Sequence, residues 1–192
     1  MTLDPSALTT LEAAKAQLDI TGDSEDGILV SFIEAATAAV ETFCRRKFAY
    51  SENVTETLSP HGGQLFLRRP PILQLHEIRR GDKPLLPEDY ELDPATGIVT
   101  LPGYFPGDAY AITYDGGFVT PNQATQERPR TLPRDVELAA LLVVTSLYRN
   151  RGRDPNVTEE GLIGARQAFA GGWHVLSPAA QALLAPWRLS HP

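Results

Sequence analysis

Asp23-Ser-Glu-Asp-Gly-Ile-Leu-Val-Ser-Phe-Ile-Glu-Ala-Ala-Thr-Ala-Ala-Val-Glu-Thr-Phe-Cys-Arg-Arg46 is the stretch on which the fold turns. Ile28, Phe32, Ile33, Ala36, Val40, Phe43 and Cys44 recur at helical spacing, which lines them along one side, while Glu34 and Glu41 fall elsewhere. Asp23 or Ser24 is placed to cap the start, and Arg45, Arg46 and Lys47 complement the negative end of the dipole. A second stretch answers it. From Pro133, suited to a first helical position, to about Asn150, the residues Val136, Ala139, Ala140, Val143, Val144, Leu147 and Tyr148 form another apolar stripe. Two helices of similar length, each with one apolar side, predict that they pack together. A shorter helix precedes them: Thr9 to Glu12 reads as a capping box, and Leu11, Ala14 and Leu18 share a face before Gly22 and Asp23 end it.

Between the two long helices the period falls from about 3.6 toward 2. Short runs at Val54–Leu58, Gln64–Leu67, Ile72–Arg79, Tyr90–Leu92, Ile98–Leu101 and Tyr110–Tyr114 alternate apolar and polar residues, and glycine and proline turns, Asp115-Gly116-Gly117 among them, separate the runs. Residues 118–132 are polar and interrupted by proline, and read as a loop returning the chain to the helical part. The expected fold class is α+β: an antiparallel long-helix bundle with an inserted small antiparallel β lobe and a helical C-terminal tail. The helical core takes residues 1–50 and 132–170, the β lobe 51–118, the connecting loop 119–131 and a docking tail 171–192. Within this scheme Glu159–Phe169 is expected as a weak helix, loosened by Gly161 and Gly164, and Ser177-Pro178 starts a last short one.

Composition bounds the function. The chain has 192 residues with 17 basic and 24 acidic side chains, a net charge of −7, which argues against a protein held to nucleic acid by phosphate contacts. The charge is uneven, with 9 basic and 18 acidic residues up to position 120, then 8 and 6. A single cysteine, Cys44, excludes an internal disulfide or a multi-cysteine zinc site. Neither an export signal nor a membrane-spanning run of apolar residues is expected.

The chemistry-bearing residues are dispersed. His61, His76, His174 and His191 form no metal-binding pair at helical spacing, and there is no Gly-x-Ser-x-Gly elbow. The acidic groups at Asp23, Glu25 and Asp26 and at Glu88, Asp89, Glu91 and Asp93 suit a helix start and a turn. Gly161-Leu-Ile-Gly164 lacks the Gly-Lys-Ser/Thr ending of a phosphate cradle. No catalytic, cofactor or metal site is therefore expected. The end of the chain offers Trp173, Leu183, Leu184 and Trp187 either as a docking surface or as cover for the chain's own core.

Leu11-Glu-Ala-Ala-Lys-Ala-Gln-Leu-Asp-Ile20, Ile33-Glu-Ala-Ala-Thr-Ala-Ala-Val-Glu-Thr-Phe-Cys-Arg-Arg-Lys-Phe48 and Leu132-Pro-Arg-Asp-Val-Glu-Leu-Ala-Ala-Leu-Leu-Val-Val-Thr-Ser-Leu-Tyr-Arg-Asn-Arg151 resemble the two helical segments of the head–tail connector (adaptor) family of tailed phages. Leu65-Phe-Leu-Arg-Arg-Pro-Pro-Ile-Leu73, Asp89-Tyr-Glu-Leu-Asp-Pro-Ala-Thr-Gly97 and Ile112-Thr-Tyr-Asp-Gly-Gly117 resemble the β insertion of its longer members, which also occur in gene transfer agent particles. The resemblance spans about residues 8–151. It implies a structural subunit of the virion neck, assembled in the bacterial cytoplasm. Such a subunit joins others in a ring, a dodecamer in this family, between the portal protein and a tail stopper or tail terminator, and DNA passes through the ring without specific binding. Ring contacts are heterologous, so two different faces must complement each other. Arg149, Arg151 and Arg153, set against the acidic N-terminal portion, are the candidate charged contacts, with Trp173, Leu183, Leu184 and Trp187 as candidate apolar ones. Another virion module, such as a tail-completion protein, or an enzyme with an unrecognised site, are the alternatives.

Overall fold

The computed structural model describes residues 2–103, 107–151, 159–162, 165–168 and 175–189. The protein is α+β. Among the described residues four helices, α1 (Leu11–Leu18), α2 (Asp26–Cys44), α3 (Arg134–Arg149) and α4 (Pro178–Leu184), accompany nine strands. Seven of these lie between the two long helices: β1 (Ser51–Leu58), β2 (Gln64–Phe66), β3 (Ile72–Arg80), β4 (Lys83–Pro84), β5 (Glu91–Asp93), β6 (Ile98–Thr100) and β7 (Tyr110–Gly116). The last two, β8 (Glu159–Leu162) and β9 (Ala165–Ala168), follow α3.

The helices form because their apolar residues can be buried on one side. Ile33, Ala36, Val40 and Cys44 of α2 meet Val136, Ala139, Ala140, Val143 and Val144 of α3, and Leu29 and Val30 of α2 are enclosed as well. By length and mean hydropathy α2 resembles a membrane-crossing helix, but its most apolar face is spent on this core. α2 ends where Arg45 enters the left-handed region at φ 55°, its N–H closing onto the Glu41 and Thr42 carbonyls. Among the described residues two of the helices are long. The expected long-helix bundle is in fact two long helices with a single short one packed at each side.

The β part is two small antiparallel sheets that share a core. One has the order β1-β7-β3-β4 and the other β2-β6-β5. Ile72, Ile78, Tyr110, Ile112 and Tyr114 from the first face Leu65, Leu67, Val99 and Leu101 in and beside the second. Strand alternation fixes this: β7 is buried at every second residue, with Tyr110, Ile112 and Tyr114 pointing inward. Tyr114 reaches a polar partner by donating its hydroxyl to Glu56 Oε1 at 2.7 Å.

Three expectations change. The α1 cap sits one residue later than the Thr9 capping box, because Thr10 Oγ1 accepts from Ala13 N at 3.1 Å while Thr9 is fully buried. Where a helix was expected over Glu159–Phe169, the described residues pair as a β hairpin with Glu159 opposite Ala168 and Leu162 opposite Ala165. Two glycines within six residues weaken a helix there more than a hairpin. Asp115-Gly116-Gly117 is not a strand-to-strand turn: Asp115 and Gly116 belong to β7, and the chain bends at Gly117 into a parallel bridge between Ala49 and Phe118.

The loop expected over 119–131 is stitched to the N-terminus as well as connecting two parts. Thr120 Oγ1 donates to the Pro5 carbonyl at 2.7 Å, and the Asn122 amide donates to the Ala7 and Thr9 carbonyls at 3.0 and 2.9 Å. These bonds hold Ala7 and Leu8 in the helical core.

Candidate assembly interface

Residues 45–50 run between the helical and β parts and carry the joint. Lys47 N donates to Arg68 O at 2.8 Å, Phe118 N to Phe48 O at 2.7 Å and Tyr50 N to Phe118 O at 2.8 Å. Arg46 and Phe48 point inward together, as alternate residues of an extended segment must. The Arg46 guanidinium lies over the Phe48 ring at 4.8 Å and the Phe118 ring at 5.6 Å, and Nη2 donates to the Pro70 carbonyl. Burial pulls its pKa down to about 10. Among the described residues its Nε finds no hydrogen-bond partner. A cation is thus enclosed by aromatic faces and one carbonyl where the helical and β parts meet.

Glu41, expected off the apolar stripe of α2, is buried beside this joint. One carboxylate oxygen accepts from Phe48 N at 3.3 Å and the other holds the Lys47 ammonium. The sequence expectation that Arg45, Arg46 and Lys47 simply complement the helix dipole is replaced by three separate tasks. Arg45 turns the chain, Arg46 fills the joint and Lys47 neutralises Glu41.

Arg149 is exposed on the last turn of α3. Arg151, two residues on, is engaged within its own chain: its two terminal nitrogens donate to the two oxygens of Glu25 at 2.6 and 3.1 Å, and the guanidinium stacks on the Tyr148 ring at 3.8 Å. The bidentate fork ties the end of α3 to the start of α2. The hydrogen bond from Arg151, then one from the Tyr148 hydroxyl, hold the Glu25 carboxyl down at about 2 against an ordinary 4.5. Because the folded value lies below the unfolded one, the contribution is complete above 4.5 and lost as the pH falls through about 2. Arg151→Ala is therefore expected to lower the urea midpoint slightly at neutral pH, and the gap from wild type should close as the pH drops below 4.5. A gap that persists unchanged into acid would show that the ion pair is not its source. Arg153 and Trp173 lie outside the described residues.

Leu183, Leu184 and Trp187 are brought together by α4 and the single 3-10 turn after it. Ser177 caps this helix by accepting from Ala180 N at 3.2 Å, and Pro178 takes the first position. Leu184 is fully buried against Val40, Cys44, Phe48 and Val136, and Leu183 packs at the edge of the same cluster. Trp187 meets Phe118 edge to face at 5.8 Å, and its Nε1 donates to Asp135 Oδ2 at 2.8 Å in the first turn of α3. Leu189 N donates to the Cys44 carbonyl at 3.0 Å, which satisfies an end of α2. Of the segment expected as a docking tail, residues 175–189 lie on the helical core, with Ala180 and Leu184 buried in it and Leu176, Leu183 and Trp187 packed against it.

Away from these ends, a groove of about 400 Å³ between β3, β4 and the turn before β5 is lined by Arg80, Lys83, Glu88, Asp89 and Tyr110. Its charges are mixed in sign and converge on no nucleophile with a base. Among the described residues no three His, Cys, Asp or Glu side chains are grouped as metal ligands.

Among the described residues the fold brings together buried packing, ion pairs and a hydrogen-bonded joint between its helical and β parts. A family model for head completion proteins matches residues 7–189. The chain belongs to the head completion protein family. A chain from the neck of an empty gene transfer agent particle, computed with C6 symmetry, has a similar structure. Its TM-score is 0.61 at 21% identity, over 100% of this chain and 95% of that one. No curated protein matches in sequence.

Proposed function

We propose that the protein is a structural adaptor in the neck of a tailed phage or gene transfer agent-like particle, present in many copies as a ring between the portal and a tail stopper or terminator. The family match over residues 7–189 carries the reading. The net charge of −7 supports it, since an acidic channel wall lets DNA pass without being gripped. The exposed Arg149 and the rim of α4 around Leu183 and Trp187 are offered as contacts with the portal or a neighbouring copy. The particle is put together in the bacterial cytoplasm, and a dodecamer is the ring that the connector resemblance implies.

Adding the purified chain to portal-bearing heads that lack it tests this by electron microscopy. Added axial density at the portal vertex, seen as a ring in averaged end views, is the expected outcome. Density distributed over the capsid surface would instead make the protein a decorating module. Unchanged heads that still accept tails would end the adaptor reading.

A further inference from the structure

The β8–β9 hairpin pairs with no other strand among the described residues. An isolated two-stranded hairpin is marginal in water and gains stability from a third strand. The four-stranded sheet of the same chain offers a place for one. β1 forms its outer edge, bound to β7 on one side only, and no strand covers the far side among the described residues.

We propose that strand β9 of one subunit adds to the open edge of β1 in the neighbouring copy, so that hairpin and edge form the two halves of the ring contact. This rests on the ring reading above. It supplies what a closed ring requires, two different surfaces of one chain that fit each other.

Three observations select β1 and β9. First, the opposite edge of the sheet is partly shut, since β4 covers Arg79 and Arg80, and β3 pairs with β7 through two register shifts. β1 has one shift, near Asn53, and from Val54 to Leu58 its ladder is regular. Second, that regular part carries none of the proline or lysine that blunts exposed edges, and Thr55 and Thr57 favour extended backbone. Third, the charges of the strands differ. β1 contains no base. Its Glu52 is already paired with Arg128, but among the described residues Glu56 in the regular part meets only the neutral Tyr114 hydroxyl and Arg68 N–H and keeps its charge. β9 contains Arg166 and no acid, and β8 contains Glu159 and Glu160. Setting β9 against β1 joins opposite charges, and setting β8 there would join like ones.

Two single-cysteine replacements test the contact, Thr55→Cys in β1 and Gln167→Cys in β9, with the buried Cys44 left in place. The full chains are assembled on portal-bearing heads and treated with a short bismaleimide. A mixture of the two variants should yield cross-linked dimers, each variant alone none, and the double variant a ladder of higher oligomers. The proposal is overturned if the double variant links only within one chain, which would mean that the hairpin closes over its own β1. It is equally overturned if the cysteines link only to the portal, or if nothing links while axial rings are present. Wild-type protein that forms no axial ring removes the adaptor reading itself, an outcome that microscopy records independently of the cross-link.

Discussion

Gly117→Ala is expected to lower stability by roughly 3 kcal/mol or more. At φ +99° Gly117 occupies backbone that side chains rarely adopt, and a Cβ there would lie 2.5 Å from the Ala49 carbonyl oxygen and 2.9 Å from that of Phe48. Both obstacles are backbone and both are held by the hydrogen bonds of the joint, Phe118 N to Phe48 O and Tyr50 N to Phe118 O. The contact cannot relax by a side-chain rotation. Gly81→Ala supplies the control: its φ is +58° with nothing within 4 Å, so only the conformational cost of about 1 kcal/mol applies. Urea unfolding of the two variants beside wild type decides the matter. A Gly117→Ala midpoint equal to that of Gly81→Ala would show that the strands at the joint part more easily than their hydrogen bonds indicate.

Leu184→Ala is expected to cost about 2–5 kcal/mol, the range for emptying a fully buried leucine site. The loss follows from where α4 sits. Leu184 has no exposed surface and fills the space between α2 and α3 beside Val40, Cys44 and Val136. Amide hydrogen exchange gives the second readout, with residues 178–184 protected in the isolated wild-type subunit and exchanging faster in the variant. The opposite pattern, wild-type stability together with failed attachment to heads, would return Leu184 to the role of a docking residue.

Much of this architecture could be read from periodicity. All six runs assigned to the β region became strands, displaced by a few residues at their ends, because turns of glycine and proline isolate stretches too short for helices. The stripe of α3 was equally plain, whereas that of α2 held from Ile33 onward but not at its start, where Ile28 is exposed and Leu29 and Val30 are buried in its place. What escaped were features made by contacts distant in sequence. The charge of Arg151 was visible, but its acid, Glu25, lies 126 positions upstream, and nothing local shows that the two meet inside one chain. Leu183, Leu184 and Trp187 read equally well as a docking surface or a cover, since an apolar face is the same face whichever partner buries it. Arg46 left a signal that helix periodicity hides: beyond the end of α2 burial follows a period of two, which puts Arg46 inside with Phe48. In Asp115-Gly116-Gly117 the composition of a turn records a close crossing of two chain segments, and composition does not distinguish them.

Cys44 lies beneath α4, fully enclosed, with its Sγ 4.0 Å from the Leu184 carbonyl and its thiol pushed up to about 11 by burial. Only the thiolate reacts readily with alkylating reagents, so an intact subunit is close to inert toward them. Lifting α4 would uncover the sulfur and restore ordinary reactivity in the same step. The chain therefore carries a built-in clock for its own closure: the labelling rate of its one thiol counts how often the final helix lets go, whether the subunit is alone or locked into a neck.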